Sequence, residues 1–200
     1  MKNPEFTQLE MPGADVRLYQ ALFSEAESKE LLEQLQREIA WQQDRIKMFG
    51  REMPLPRLTA WYGDPGAVYT YSRIRMEPRP WNPVLQQIRK RAEAATQTVF
   101  NSVLLNYYRN QQDSMGWHAD NEAALGLEPV IASVSFGEPR EFQFRHLTNK
   151  ALPIVKIYLP PGSLLLMQGT TQQNWQHRLP GKTAVSGPRI NLTFRQILTS

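Results

Sequence analysis

Cysteine is absent from the chain, and that single absence removes disulfides, thiolate zinc sites and cysteine nucleophiles together. Any metal must then be held by histidine and carboxylate, and histidine itself is scarce, with three in 200 residues. Long apolar runs are missing too. "VIASVSF" (130–136) and "SLLLM" (163–167) fall far below the roughly 18 residues that span a bilayer, and "MKNPEFTQLEMPGADV" (1–16) lacks the apolar core of a secretory signal. These absences predict a soluble, cytoplasmic protein that does not enter a membrane. No charge sign dominates: 23 Lys and Arg against 19 Asp and Glu leave +4, although the pI is near 9.4. Such a balance accommodates a polyanionic partner without demanding one.

What is present is enough apolar material for a core, at 41% hydrophobic and 10% aromatic residues, and the length suits one domain over 1–200. "SEAESKELLEQLQREIA" (24–40) opens with Ser24 as a candidate N-cap and Glu27 three positions on, with Leu31, Leu32, Leu35 and Ile39 at helical spacing. A second amphipathic helix is predicted over 82–100, with Pro83 in its first turn and Val84, Leu85, Ile88 and Ala92 on one face. Its Arg89, Lys90 and Arg91 read as a solvated face. The tract between the helices, 48–81, is too rich in proline for helix and reads as hairpins or ordered loops around "GDPG" (63–66). From residue 103 the pattern changes to short β runs separated by Gly, Pro and Asn, as in an antiparallel sandwich or barrel. Two helices on a β-sandwich is the predicted architecture, α+β and mainly β.

The chemistry concentrates in "GWHADNE" (116–122). If this stretch is extended, His118 and Asp120 share a side. His177 in "NWQHRLPG" (174–181) follows far enough along to return across the sandwich. Two histidines and one carboxylate form the facial triad that leaves open positions on Fe(II) for a cosubstrate and oxygen. The third histidine, His146, has no partner pattern and reads as structural. In "RINLTFRQI" (189–197), Arg189, Asn191, Thr193 and Arg195 share one face, opposite Ile190, Leu192 and Phe194. A solvated outer face is the default explanation; the alternative is a pocket whose guanidinium groups pair with carboxylates. In "LLNYY" (104–108), Asn106 and Tyr108 fall on one face in the same way.

The order N-x-Y, H-x-D, H and R-x-N-x-T-x-R, present as Asn106-Tyr107-Tyr108, His118-Ala119-Asp120, His177 and "RINLTFR", closely resembles the AlkB family of Fe(II)- and 2-oxoglutarate-dependent dioxygenases. The resemblance runs from about "PRLTAWYGD" (56–64) to the C-terminus; the first 50 or so residues carry little of it. It implies a double-stranded β-helix, or jelly-roll, core over 101–200, preceded over 18–100 by two supporting helices and a substrate-lid hairpin region. It further implies His118, Asp120 and His177 as iron ligands, and Arg189 pairing with 2-oxoglutarate with Asn106 and Tyr108 assisting. Asn191 and Thr193 would line the same pocket, and Arg195 would lie near Asp120 and the proximal carboxylate. The implied activity is oxidative demethylation of bases such as 1-methyladenine and 3-methylcytosine in DNA, with RNA as a further substrate, by a monomer that releases formaldehyde, succinate and CO2. For the substrate, Glu122 matches the acidic lesion contact; Tyr71, with Tyr69 and Ser72, matches the lid; Trp61, Tyr62 and Arg57 fall beside them. Arg45, Lys47, Arg51 and Arg57 could meet phosphates, and Met48–Phe49 could be a wedge or core. Three alternatives stand beside this: an AlkB-like enzyme acting on protein, lipid or a small molecule, a jelly-roll binding module without metal, and a zinc hydrolase on the same ligands.

Overall fold

The computed structural model describes residues 5–48, 51–71, 74–181 and 187–198. Ser72 and Phe49, named above as lid and wedge candidates, lie outside them. Among the described residues two β-sheets face each other. The larger holds seven strands in the order β1 (Thr7–Gln8), β2 (Asp15–Tyr19), β13 (Ser163–Gln168), β10 (Ile131–Gly137), β15 (Arg189–Arg195), β8 (Ser102–Tyr108) and β5 (Leu58–Gly63). The smaller holds β12 (Val155–Leu159), β11 (Arg140–His146), β14 (Trp175–Leu179) and β9 (Met115–His118). From β8 onward the chain thus places four strands in each sheet, which is the jelly roll the resemblance implied. The expected boundary at 100/101 does not separate support from core, because β2 and β5 complete the same seven-stranded sheet through β13 and β8. The tract 48–81 supplies two small hairpins, β3 (Arg45–Met48) with β4 (Arg51–Pro54) and β6 (Tyr69–Tyr71) with β7 (Ile74–Met76), besides β5.

The helices form where capping and spacing demand. α1 (Glu25–Glu38) starts at Ser24, whose Oγ accepts from Glu27 N while Glu27 Oε2 accepts from Ser24 N, satisfying two donors that the first turn would otherwise orphan. α2 (Pro83–Thr96) starts at Asn82, whose side chain accepts from Leu85 N, and ends at Gln97 with φ 55°, short of the predicted stop at 100. Leu31 and Leu35 of α1 and Val84, Leu85, Ile88 and Ala92 of α2 pack on the outer face of the large sheet, against Val103, Leu105, Val134, Leu166, Ile190, Leu192 and Phe194. Arg91, read as solvated, bridges the helices by pairing with Glu27 at 2.6 Å.

A second apolar cluster fills the space between the sheets: Val16, Leu18, Ile131, Leu165 and Met167 from one, Phe142, Phe144, Leu159, Trp175 and Leu179 from the other. At about 1.5–3 kcal/mol for each fully buried large side chain, these two clusters hold both faces of the large sheet. Its interior strand β15, between β10 and β8, is accordingly buried along its whole length. The polar face of β15 therefore points into the sandwich, and not to solvent.

Candidate active site

His118 and His177 face each other because β9 pairs antiparallel with β14 in the register His177↔His118. The next pair is Leu179↔Met115, so the register shifts by one residue between the two pairs. This is a β-bulge: the extra residue on β9 sends Gly116 and Trp117 outward and lets Met115 and His118 both point inward. Strand alternation does not bring Asp120 to the site, since β9 ends at His118. Instead Asp120 N donates to the buried Gln172 Oε1 at 2.9 Å, and Asp120 Oδ1 accepts from Arg195 Nη2 at 2.7 Å. Asp120 Oδ2 comes to 3.9 Å from His177 Nε2, and the two imidazole centroids lie 4.2 Å apart. One ligand atom from each of the three residues falls within 4.8 Å of the others, so the cluster could hold a metal ion.

The protonation states suit a cation. Burial alone would raise the Asp120 carboxyl, but the adjoining Arg195 guanidinium and the two histidines outweigh it and hold the group down to about 2. Burial, reinforced by His118, pushes His177 down to about 3, which leaves its imidazole neutral with a free lone pair at neutral pH. His118 Nδ1 lies 2.9 Å from Gly116 O; a carbonyl only accepts, so Nδ1 carries the proton and Nε2 is the free acceptor. Phe142 stacks on His177 with centroids 5.3 Å apart, and Phe144 closes its edge.

These groups line one end of a cavity of about 40 Å³ between the sheets. The opposite wall is β15 and β8, registered as Arg189↔Tyr108, Asn191↔Asn106 and Thr193↔Leu104. Thr193 Oγ1 donates to Asn191 Oδ1 at 3.0 Å, and Asn191 Nδ2 donates to Ser133 Oγ at 2.8 Å, so the polar wall is held rigid by its own bonds. Arg189, 2% exposed, donates from Nη2 to Ser135 Oγ at 2.9 Å and lies over the Tyr108 ring. Burial pulls its guanidinium down to about 10, and its Nε is buried without a hydrogen-bond partner among the described residues. A carboxylate entering the cavity would supply what that cation lacks. The donor set, two imidazoles and a carboxylate with a buried arginine across the cavity, fits Fe(II) and a dicarboxylate cosubstrate.

Comparison with known proteins decides the family. Residues 15–195 match the model of the 2OG-Fe(II) oxygenase superfamily. The chain is 42% identical to bovine DNA oxidative demethylase ALKBH2, over 90% of this chain and 68% of that one. It is 39% identical to the human protein of the same name, over 98% and 78%. It belongs to the AlkB family of Fe(II)- and 2-oxoglutarate-dependent dioxygenases. Mouse alpha-ketoglutarate-dependent dioxygenase alkB homolog 3 is 46% identical over 91% of this chain and 66% of its own length, so this chain spans about two thirds of several relatives. The solved structure of OsALKBH1 shares the fold, with a TM-score of 0.67 at 18% identity, covering 96% of this chain and 100% of that one. The family match begins at Asp15, well before the tract at 56–64 where the sequence signal becomes strong, because β2 belongs to the large sheet.

The AlkB-like substrate contacts meet mixed fates. Glu122 is half-buried at the head of a one-turn 3₁₀ helix, Ala123–Leu125, two residues beyond Asp120. Tyr69 and Tyr71 lie on β6. Trp61 is buried beside Leu104, which lines the cavity, and donates from Nε1 to Ala67 O. Two expectations need correction. Tyr62 alternates to the helix side of β5, where it joins the main core and its hydroxyl accepts from Ala40 N. Arg57 is 3% exposed, too deep for a phosphate, and donates from Nε to Asn106 Oδ1 at 2.8 Å. It orients a cavity-lining amide instead. Sequence reasoning misses Gln172, Ser133 and Ser135, whose roles follow only from strand pairing. His146 lies away from the metal-ligand cluster, and its Nδ1 accepts from Thr148 N and Asn149 N.

Proposed function

We propose that this AlkB-family dioxygenase demethylates N-alkylated bases such as 1-methyladenine and 3-methylcytosine in DNA, and in RNA, as a monomer in the cytoplasm. The observation that carries it is the convergence of His118, Asp120 and His177 opposite the buried Arg189 in one cavity, in a chain whose relatives include proteins named DNA oxidative demethylase. No helix among the described residues is long and apolar enough to cross a membrane.

His118, Asp120 and His177 would hold Fe(II), and Arg189, with Asn106 and Tyr108, would hold 2-oxoglutarate. When bound, these groups supply the oxidation: O2 converts 2-oxoglutarate to succinate and CO2 and places one oxygen atom on the N-methyl carbon. The resulting N-hydroxymethyl group loses formaldehyde and restores the base. The chain's own residues prepare that chemistry. Arg195 keeps the Asp120 carboxylate ionised, Gly116 O fixes the His118 tautomer, and Phe142 and Phe144 shield His177. Arg57 fixes the Asn106 amide by taking its oxygen, which turns Asn106 Nδ2 outward as a donor. A methylated adenine or cytosine of this kind is a cation, which suits the carboxylate of Glu122, two residues beyond Asp120. Tyr71, with Tyr69, Ser72 and Trp61, would stack and enclose a base extruded from its strand.

The test is anaerobic loading with Fe(II) and 2-oxoglutarate, then air and a 3-methylcytosine oligonucleotide in single- and double-stranded form. Equal formaldehyde and succinate support the assignment; succinate without formaldehyde would keep the oxygenase and discard this substrate. Gel filtration checks the monomer, and a methylated RNA strand checks the wider substrate range.

A further inference from the structure

The bulge that turns His118 inward also turns Trp117 outward, onto the exposed face of the small sheet. There two arginines pack against it. The guanidinium carbons of Arg145 and Arg178 each lie 4.5 Å from the Trp117 ring centroid. The strand register explains the arrangement: Phe144 and His177 form a pair that points inward, so Arg145 on β11 and Arg178 on β14, one residue beyond each, point outward.

Among the described residues neither cation is paired with a carboxylate. Arg145 Nε and Nη2 both donate to Gln176 Oε1, at 3.0 and 2.8 Å, and Arg178 Nε donates to Gln143 Oε1 at 2.7 Å. These acceptors are neutral amides. Arg178 Nη1 and Nη2 and Arg145 Nη1 have no protein acceptor among the described residues. Lys156, opposite Gln143 on β12, adds a third positive charge to this face; Glu141, whose carboxylate accepts from Gln143, is its one acid on β11. Two like charges held against one ring, with unspent donors and side chains already tethered by hydrogen bonds, form a preorganised site for an anion.

Position identifies the anion. β9 is the edge strand of the small sheet, and consecutive residues on it place His118 in the cavity and Trp117 on the outer face. A base seated beside His118 sends its own strand out over this edge. We propose that the Arg145–Trp117–Arg178 stack binds the phosphodiester backbone of the substrate strand beyond the lesion nucleotide. The inference rests on the nucleic-acid reading above and adds a second contact zone to it.

The experiment compares a trinucleotide, too short to cross the edge, with a strand of about fifteen nucleotides, both carrying one central 3-methylcytosine, on the Fe(II)-loaded full chain. The double variant R145Q/R178Q is expected to raise KM about tenfold on the long strand and to leave KM on the trinucleotide unchanged. The salt dependence of long-strand binding, measured by fluorescence anisotropy on an unmethylated strand, should lose about 1.4 units of slope for two lost phosphate contacts on single-stranded nucleic acid. R145K/R178K, which keeps the charge, should recover most of that slope. An equal loss on both substrates, or an unchanged salt slope, would overturn the proposal. If the wild type turns over both substrates and the variant matches it, the stack fails alone; if the wild type demethylates neither, the nucleic-acid reading fails as well.

Discussion

Replacing Arg189 with glutamine separates what this side chain does for the cosubstrate from what it does to the fold. Arg189 is 2% exposed, and its charge has no carboxylate partner among the described residues. Burial depresses its guanidinium from the ordinary arginine range to about 10, which at ~1.4 kcal/mol per unit corresponds to about 3 kcal/mol against the charged form. Because the folded value lies below the unfolded one, this cost is fully present at pH 7 and is relieved only as the pH rises above the folded value. The shorter amide of Arg189→Gln would keep a donor for Ser135 and remove the cost. The variant without cosubstrate should therefore be as stable as the wild type or more so, gaining ~1–3 kcal/mol, or a few degrees in Tm for a chain of this size. The same change leaves a bound carboxylate buried without its partner, a loss of ~3–5 kcal/mol, which weakens 2-oxoglutarate binding by ~10²–10⁴-fold. Calorimetric titration of 2-oxoglutarate with Mn(II) in place of iron reads the second number, and a thermal melt without ligand reads the first. Wild-type affinity would remove Arg189 from the cosubstrate site, and a fall of many degrees in Tm would show that the buried charge supports the fold.

Other expectations follow from the same geometry. His177→Ala removes a neutral, preoriented imidazole and should abolish both turnover and stoichiometric Fe(II) binding, while circular dichroism stays unchanged. Glu122→Ala should weaken discrimination for cationic methylated bases and leave 2-oxoglutarate decarboxylation without substrate largely intact; a paired measurement of succinate and formaldehyde shows whether the two separate. Asp113 accepts from Arg109 N, Nε and Nη2 at 2.8–2.9 Å, and although burial raises its carboxyl, these bonds hold it below the ordinary 3.8. Its contribution is thus present above 3.8 and lost as the pH falls through the folded value. Asp113→Asn should cost ~2 kcal/mol at pH 7 and progressively less in acid, which melts at pH 7 and pH 3 would reveal.

The chemistry of the chain is legible in its sequence sooner than its geometry. Alternation in "RINLTFR" groups Arg189, Asn191, Thr193 and Arg195, but alternation only says which residues share a face. Which way the polar face points depends on what covers each side, the helices on one and the small sheet, with its β9–β14 pairing, on the other. An i, i+2 argument puts His118 and Asp120 together, and the structure joins them another way, through a bulge and a loop held by Gln172 and Arg195. A bulge is a property of two strands, and one strand's sequence does not announce it. Arg57 sits in a basic tract and reads as surface until Asn106 is placed beside it. The N-terminal strand β2 carries little signal because five residues joined to β13 by backbone bonds need no distinctive side chains.

The central claim is that His118, Asp120 and His177 carry an oxidation that removes a methyl group from a base. Intact-mass spectrometry of a single-stranded 3-methylcytosine oligonucleotide after incubation tests it most directly. The account predicts loss of one CH2 unit that requires Fe(II), 2-oxoglutarate and oxygen together and disappears in His177→Ala. An oligonucleotide of unchanged mass under complete conditions, or the same loss catalysed by the His177→Ala protein, would contradict it.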